Sequence, residues 1–278
     1  MKTASSIISE KKKDVVDIFG MPINRITMEE LLRISDQCIE SRRQLLLGVV
    51  NVAKVVNARK DSLLKESLDR ADLIVADGLP LIWLSRLLGT PLPGRVPGID
   101  VMYELLREAN DKHYGIYFLG ARREVLQEVI GIVRRDYPGI RVAGYRDGYF
   151  DKDEEESVAK NIRDSRADII FVAISPPKKE IFLNKWQELM AVPICHGVGG
   201  SFDVLAGFTK RAPLWMQNSG LEWLYRLIQE PRRMWKRYLI TNTIFLKLCF
   251  GAVLRARFGK LFRKSANLAA CDIDDPNG

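Results

Sequence analysis

Two polar residues stand where buried-looking runs end: "QLLLGVVN" stops at Asn51 and "DLIVAD" stops at Asp77. Parallel sheets bind ligands at the carboxyl ends of their strands, so an amide and a carboxylate ending successive strands would face one crevice. Asp77 is followed by Gly78 and Pro80, which places it on a tight turn and not inside a helix. A carboxylate there either caps the next helix or accepts a proton from a reacting hydroxyl. Spacing alone leaves both readings open.

Three further strand ends carry small or basic residues. "FLGARRE" ends a strand on Gly120 and Ala121, and "AISPPKKE" puts Ser175 at a helix cap with Lys178 and Lys179 beside it. "HGVGGSFDVLAG" supplies Gly197, Gly199 and Gly200, then Asp203. Helix N-termini with free N–H groups attract phosphate. Each glycine alone is a plain turn residue; their convergence on several strand ends is what suits a nucleotide. None forms the dinucleotide or P-loop glycine signature. "FDKDEEE" contains Asp151-Lys152-Asp153, a spacing able to hold a metal and a diphosphate. Asp151 followed by Glu154 is also a capping pair, and the extra acids suit a helix N-terminus. The cap is the better reading, so no metal or other cofactor is expected. Two histidines and four scattered cysteines (Cys38, Cys195, Cys249, Cys271) make a zinc site a poor fit and read as isolated thiols of a reducing cytoplasm.

The elements that must position these residues alternate. Strands are expected at "QLLLGVV", "DLIVAD", "YGIYFLG", "IRVAGY", "DIIFVAI" and "VPICHGV", with helical spacing between them. Continuous apolar runs are those of strands buried on both faces, and the alternation implies a doubly wound, mostly parallel α/β sheet of Rossmann-like type. Residues 1–20, with a Lys-Lys-Lys cluster, read as a loose N-terminal arm, and 21–209 as the α/β core. After Asp203 the strands stop, and "NSGLEWLYRLIQEPRRMWKRYLITNTIFLKLCF" is helical, with Pro231 as a break or first-turn residue.

The formal net charge of +8 is not spread evenly. Residues 1–209 hold 30 basic and 30 acidic side chains, whereas 210–264 hold 13 basic residues and only Glu222 and Glu230 as acids. The remaining 265–278 form an acidic tail with no base, expected to be disordered. Cations mixed with Trp215, Trp223, Tyr225, Trp235 and Tyr238 suit a membrane interface, a nucleic acid, or a helix or homo-oligomer contact. The apolar residues that follow, from Phe245 to Phe262, favour a segment lying on an anionic membrane over nucleic acid. The stretch "YLITNTIFLKLCFGAVL" carries Lys247 and is shorter than the ~20 residues a spanning helix needs, so no transmembrane helix is expected, and no signal peptide is evident.

The blocks "VADGLPLIW", "RVPGID", "YFLGA", "YRDGYF", "SPPKKE", "GVGGSFDVLAG", "RAPLWMQ" and "GLEWLYRLIQEPRRMWKRYL" occur in that order and closely resemble the WecG/TagA/CpsF family of bacterial glycosyltransferases. The resemblance spans about residues 20–245. It implies inverting, metal-independent transfer from a UDP-sugar to a sugar on a polyprenyl diphosphate, in cell-surface polysaccharide synthesis at the cytoplasmic face of the membrane. N-acetylmannosamine or glucose would be the donated hexose; a non-catalytic nucleotide- or lipid-binding module is the competing class. By position, Asp77 matches the proposed base, Arg95 an arginine near the donor diphosphate, and Asn51 an active-site asparagine. Gly120, Lys179, Gly199, Gly200 and Asp203 join the substrate-binding set. Arg226, Arg233 and a cation at Lys236 or Arg237 match arginines thought to close over the site. Two positions depart from the family pattern: Val49 stands where threonine is usual, and Lys179 where glutamine is usual.

Overall fold

A computed structural model of the chain describes residues 4–271; the side chains of residues 4, 5 and 233 and of 256–271 lie outside that description, as do residues 272–278 of the acidic tail. The chain opens with α1 (Ala4–Lys13) and an antiparallel hairpin, β1 (Val15–Ile18) and β2 (Met21–Asn24). Residues 1–20 are therefore not a loose arm over the described part. Val16, Ile18, Met21 and Ile23 alternate into the core, and the turn at Phe19 and Gly20 uses positive φ at both residues, the geometry that matches strand twist in a two-residue hairpin. Asn24 ties the hairpin down: its Nδ2 donates to Lys11 O at 2.6 Å, and its Oδ1 accepts from Ile74 N at 2.6 Å.

Next come α2 (Met28–Glu40), β3 (Leu45–Val50), α3 (Val52–Ala58), α4 (Ser62–Asp69), β4 (Leu73–Ala76), α5 (Leu79–Leu87) and α6 (Gly98–Lys112). Then β5 (Gly115–Gly120), α7 (Arg123–Asp136), β6 (Arg141–Arg146), α8 (Glu155–Asp164), β7 (Ile169–Ala173), α9 (Lys178–Met190) and β8 (Ile194–Gly197) complete the alternation. The six strands from β3 onward form one parallel sheet in the order β4-β3-β8-β7-β5-β6. This is the doubly wound α/β fold. Every residue of β3, β5 and β7 is buried because helices cover both faces. Leu45, Leu47, Ile116, Phe118, Ile169 and Phe171 meet α2, α6 and α7 on one face. Leu46, Tyr117, Leu119, Ile170 and Val172 meet α8 and α9 on the other.

The C-terminal part is α10 (Ser201–Leu205), α11 (Leu214–Asn218), α12 (Glu222–Gln229) and the long α13 (Pro231–Cys271), with no strand among them. Pro231 opens α13, where its missing N–H costs nothing. The helix continues beyond residue 264, past the start of the acidic tail. Its stretch Met234–Arg255, 22 residues of mean hydropathy 1.3, is long and apolar enough to cross a membrane by length and composition. The 17-residue window read from sequence fell short of that length. Yet Phe245 of this stretch is buried in the cluster formed by the hairpin, α3, α4 and α5, with its ring 5.8 Å from that of Phe19.

Candidate active site

Asp77 follows β4 directly, and its N–H still donates to Val50 O at 2.7 Å, so the sheet ladder fixes its backbone. Gly78 then turns the chain with φ at 129°, a conformation open to glycine, before α5 begins. Asn51 ends β3 and caps α3: its Oδ1 accepts from Lys54 N at 3.1 Å, leaving its amide NH2 for the crevice. Val96 N donates to Ala76 O at 2.8 Å, which seats the neighbouring Arg95 beside the end of β4. Helices α12 and α13 supply the remaining wall.

Together these enclose a cavity of about 480 Å³. Asn51, Asp77, Arg95, Glu222, Arg226 and Arg237 form its polar end, and Leu79, Trp83, Leu87, Phe245, Leu246 and Cys249 its apolar end. Asp77 accepts no side-chain hydrogen bond among the described residues. Burial pushes its carboxyl up from 3.8 to about 6; the Glu222 carboxylate adds to this, while Arg226, Lys54 and Arg95 oppose it. A carboxylate so placed is ionised at neutral pH yet keeps affinity for a proton, which suits a general base. The arginines are the groups that can hold a diphosphate.

The site residues expected from sequence thus divide. Asn51, Asp77, Arg95, Arg226 and Arg237 converge on the cavity. Lys236 is exposed on α13 and outside the lining, and the side chain of Arg233 lies outside the described residues. Lys179 is 5% exposed and also outside the lining: its Nζ donates to Gly197 O at 3.2 Å and lies 3.5 Å from Glu180. Lys54 completes that cluster, 2.9 Å from Glu180 and donating to Val49 O at 2.6 Å. Burial brings the Lys179 ammonium down to about 8, and Lys54 adds to the effect. Gly120, at φ 117°, presses on the Ala173 backbone, where the strand order reverses between β5 and β7. Gly199, Gly200 and Asp203 lie at and after the end of β8, beside β3 on the same sheet edge. Val49 is buried and faces Gly98, 3.3 Å from where a Cβ would sit, so it packs the interior. Buried His196 is held neutral, pushed down to about 4, and its Nε2–H donates to Gly98 O at 2.8 Å.

Of two other expectations, one changes and one holds. α9 begins at Lys178 after Pro177, so Ser175 is not its cap residue. The Asp151 triplet forms a capping arrangement: Asp151 N donates to Glu154 Oε2 at 3.0 Å, and Glu154 pairs with Arg146 at 2.8 Å. Sequence reasoning missed Glu222, Lys54, Glu180 and the aromatic wall of Trp83, Trp223 and Tyr238. The one available signal was that Glu222 is among only two acids in 210–264.

The sequence model of the glycosyl transferase WecG/TagA/CpsF family matches residues 16–259. Three similar proteins bear the name N-acetylglucosaminyldiphosphoundecaprenol N-acetyl-beta-D-mannosaminyltransferase. That of Bacillus spizizenii is 44% identical over 172 residues, which cover 62% of this chain and 66% of the relative. That of Bacillus subtilis is 38% identical over 72% of this chain and 77% of its own length. That of Staphylococcus aureus is 33% identical over 80% and 86%.

Proposed function

The chain belongs to the WecG/TagA/CpsF family of glycosyl transferases, and from that premise we propose that it moves a hexose from a UDP-sugar to the sugar of a polyprenyl diphosphate, with inversion and without a metal. The observation that carries this reading is the cavity's two-part lining: two carboxylates and three arginines at one end, and an apolar wall at the other. An acceptor with a hydroxyl, a diphosphate and an isoprenoid tail has the same sequence of chemistries. In the reaction, Asp77 takes the proton from the acceptor hydroxyl as its oxygen bonds to the anomeric carbon. The bond from that carbon to the diphosphate oxygen breaks, and its electron pair leaves with UDP. Arg95, Arg226 and Arg237 meet the charge that develops on the leaving oxygen. Asn51 Nδ2 is placed to orient a sugar hydroxyl. The nucleoside would lie along the same strand-end edge, toward Gly199, Gly200 and Asp203 and on to Gly120.

The relatives' names make N-acetylmannosamine the donated sugar to test first, and the family resemblance makes glucose the second. Neither Val49 nor Lys179, the two departures from the family pattern, lines the cavity. The acceptor's tail would lie between α5 and α13, whose rim exposes Trp83, Leu87, Leu246 and Phe250. With the bases of 210–264, that rim supports a peripheral position on the cytoplasmic face of an anionic membrane. The test is to incubate the full chain with each UDP-sugar and N-acetylglucosaminyl diphosphate on a prenyl tail in mixed micelles. A disaccharide lipid and UDP should appear in equal amounts. Nucleotide binding with no disaccharide product from any donor would overturn the enzyme reading in favour of a binding module.

A further inference from the structure

Glu222 has no part in the transfer described above, yet it sits at the centre of the cavity's polar end. It is the first residue of α12 and follows the left-handed Gly220 (φ 72°) closely. A Cβ at Gly220 would lie 2.9 Å from the Trp83 ring, so the start of α12 is seated tightly on α5. Glu222 is thereby aimed inward, with Oε2 3.8 Å from Arg95 Nη1 and Oε1 4.0 Å from Arg226 Nη2. Each oxygen thus faces a different arginine. Both distances exceed the 2.7–2.9 Å of a tight charge-assisted hydrogen bond, so neither contact locks the carboxylate in place. The placement also has a cost, because Glu222 sets a second negative charge beside Asp77. A favourable position in the first turn of a helix explains an acid at 222, but not its direction toward Arg95 on another element.

We propose that Glu222 is a stand-in anion: before substrate binds, its charge draws Arg95 and Arg226 toward the place a diphosphate would take, and the incoming diphosphate displaces it. The inference rests on the reading of that arginine pair as the diphosphate site. Glu222 is then a positioning residue with two effects. It keeps the arginines from repelling each other or straying while no substrate is bound. It also competes with the product diphosphate and so favours its release.

The charged and titratable groups facing Asp77 and Glu222 are Lys54 from α3, Arg95 from the loop before α6, Lys179 from α9, Arg211, Arg226 from α12, and Arg237 and Tyr238 from α13. Removing one negative charge from this group strengthens anion binding and makes Asp77 easier to ionise. The probe is inorganic pyrophosphate, whose binding does not depend on the identity of the donor. Titrated into the full chain, it should bind Glu222→Gln about tenfold more tightly than wild type. Glu222→Asp keeps the charge but withdraws it by one methylene, and should fall between the two. If Gln at 222 disturbs the fold, as a thermal melt would reveal, the Asp variant decides alone by binding more tightly than wild type or not. In transfer assays, the acid limb of the pH profile should move to lower pH in Glu222→Gln; a residue that merely holds α12 in place leaves that limb where it is. Pyrophosphate binding that is unchanged or weaker in the variants overturns the proposal, as does an absence of binding to wild type with transfer intact. Tighter binding in the variants from a chain that transfers no sugar would keep this proposal and overturn the function above.

Discussion

Replacing Asp77 with Asn should make the protein slower and more stable at once. Burial and Glu222 raise the Asp77 carboxyl from 3.8 to about 6, a shift of about 2 pH units, and each unit corresponds to about 1.4 kcal/mol. The sign follows from proton counting. Between pH ~4 and ~6 the folded chain keeps a proton on Asp77 that the unfolded chain has lost. Folding is therefore favoured below that window and loses stability as pH rises through it. Above pH ~6 the ionised carboxylate costs the fold up to about 3 kcal/mol, an upper figure because the group opens onto the cavity. Asn has nearly the same shape and no charge, so this cost disappears. Urea melts of the two proteins should coincide near pH 3.5 and separate at pH 8, with the variant more stable. Transfer at pH 8 should fall by about two orders of magnitude or more, the usual scale for losing a general base. In the wild type, kcat/KM should drop on the acid side as Asp77 protonates near pH 6. An Asn variant with near-normal transfer would sink the base assignment. Equal stability at pH 8 and pH 3.5, relative to wild type, would refute the burial argument.

Transfer should survive EDTA, since the Asp151 triplet is engaged in a helix cap; activity abolished by chelation and restored by manganese or magnesium would reverse that reading. Ending the chain at Ser219 removes Arg226 and Arg237, so transfer to a water-soluble acceptor should fall at least tenfold, and salt-sensitive binding to anionic vesicles should be lost; a truncated core as fast as the whole chain would reduce the segment to an anchor. The same truncation uncovers the cluster sealed by Phe245, at a cost of about 2 kcal/mol for an aromatic of that size, so the core should melt at a lower temperature. Lys179→Met should abolish a gain in stability that the wild type shows between pH ~8 and ~10.5, where the folded chain has shed a proton the unfolded lysine still holds; parallel curves for the two proteins would contradict it.

The helix–strand alternation was legible because strands buried on both faces must be continuous apolar runs, as "LLLGVV" and "IIFVA" are. The strand order was not, because β8 enters between β3 and β7 through tertiary packing that leaves no local pattern. The hairpin escaped because its strands have four residues each and its turn is Phe-Gly, where Asn-Gly would have announced it. Asn51 and Asp77 were readable from chemistry at strand ends. Arg95 was not: it sits in an irregular loop, fixed by the Val96–Ala76 hydrogen bond, and only the family resemblance singled it out. Lys179 looked like a phosphate ligand beside a helix N-terminus, but Glu180 and the Gly197 carbonyl draw it inward beneath the end of β8.

The C-terminal helix makes clear why charge and composition alone left its role divided. At 3.6 residues per turn, Met234, Thr241 and Phe245 fall on one stripe, and all three are buried against the core. Trp235, Leu239, Leu246 and Phe250 fall on a second stripe about a third of a turn away, and all four are exposed. A helix that only packs on a soluble core needs one apolar stripe. The second stripe lies close to Arg232 and Lys236, a juxtaposition of aromatics and cations suited to the headgroup region of an anionic bilayer. The buried stripe closes the cavity over Asp77, while the exposed one is free to meet a membrane, the surface from which the proposed polyprenyl acceptor would come. One helix can serve as wall and anchor because the two tasks fall on different faces. A charge on the outer stripe, at Phe250, should weaken vesicle binding and leave transfer to a soluble acceptor intact, whereas a charge at Phe245 should damage both. If Phe250→Glu impairs soluble transfer as much as Phe245→Glu, the two faces are not separable and α13 works only as a wall.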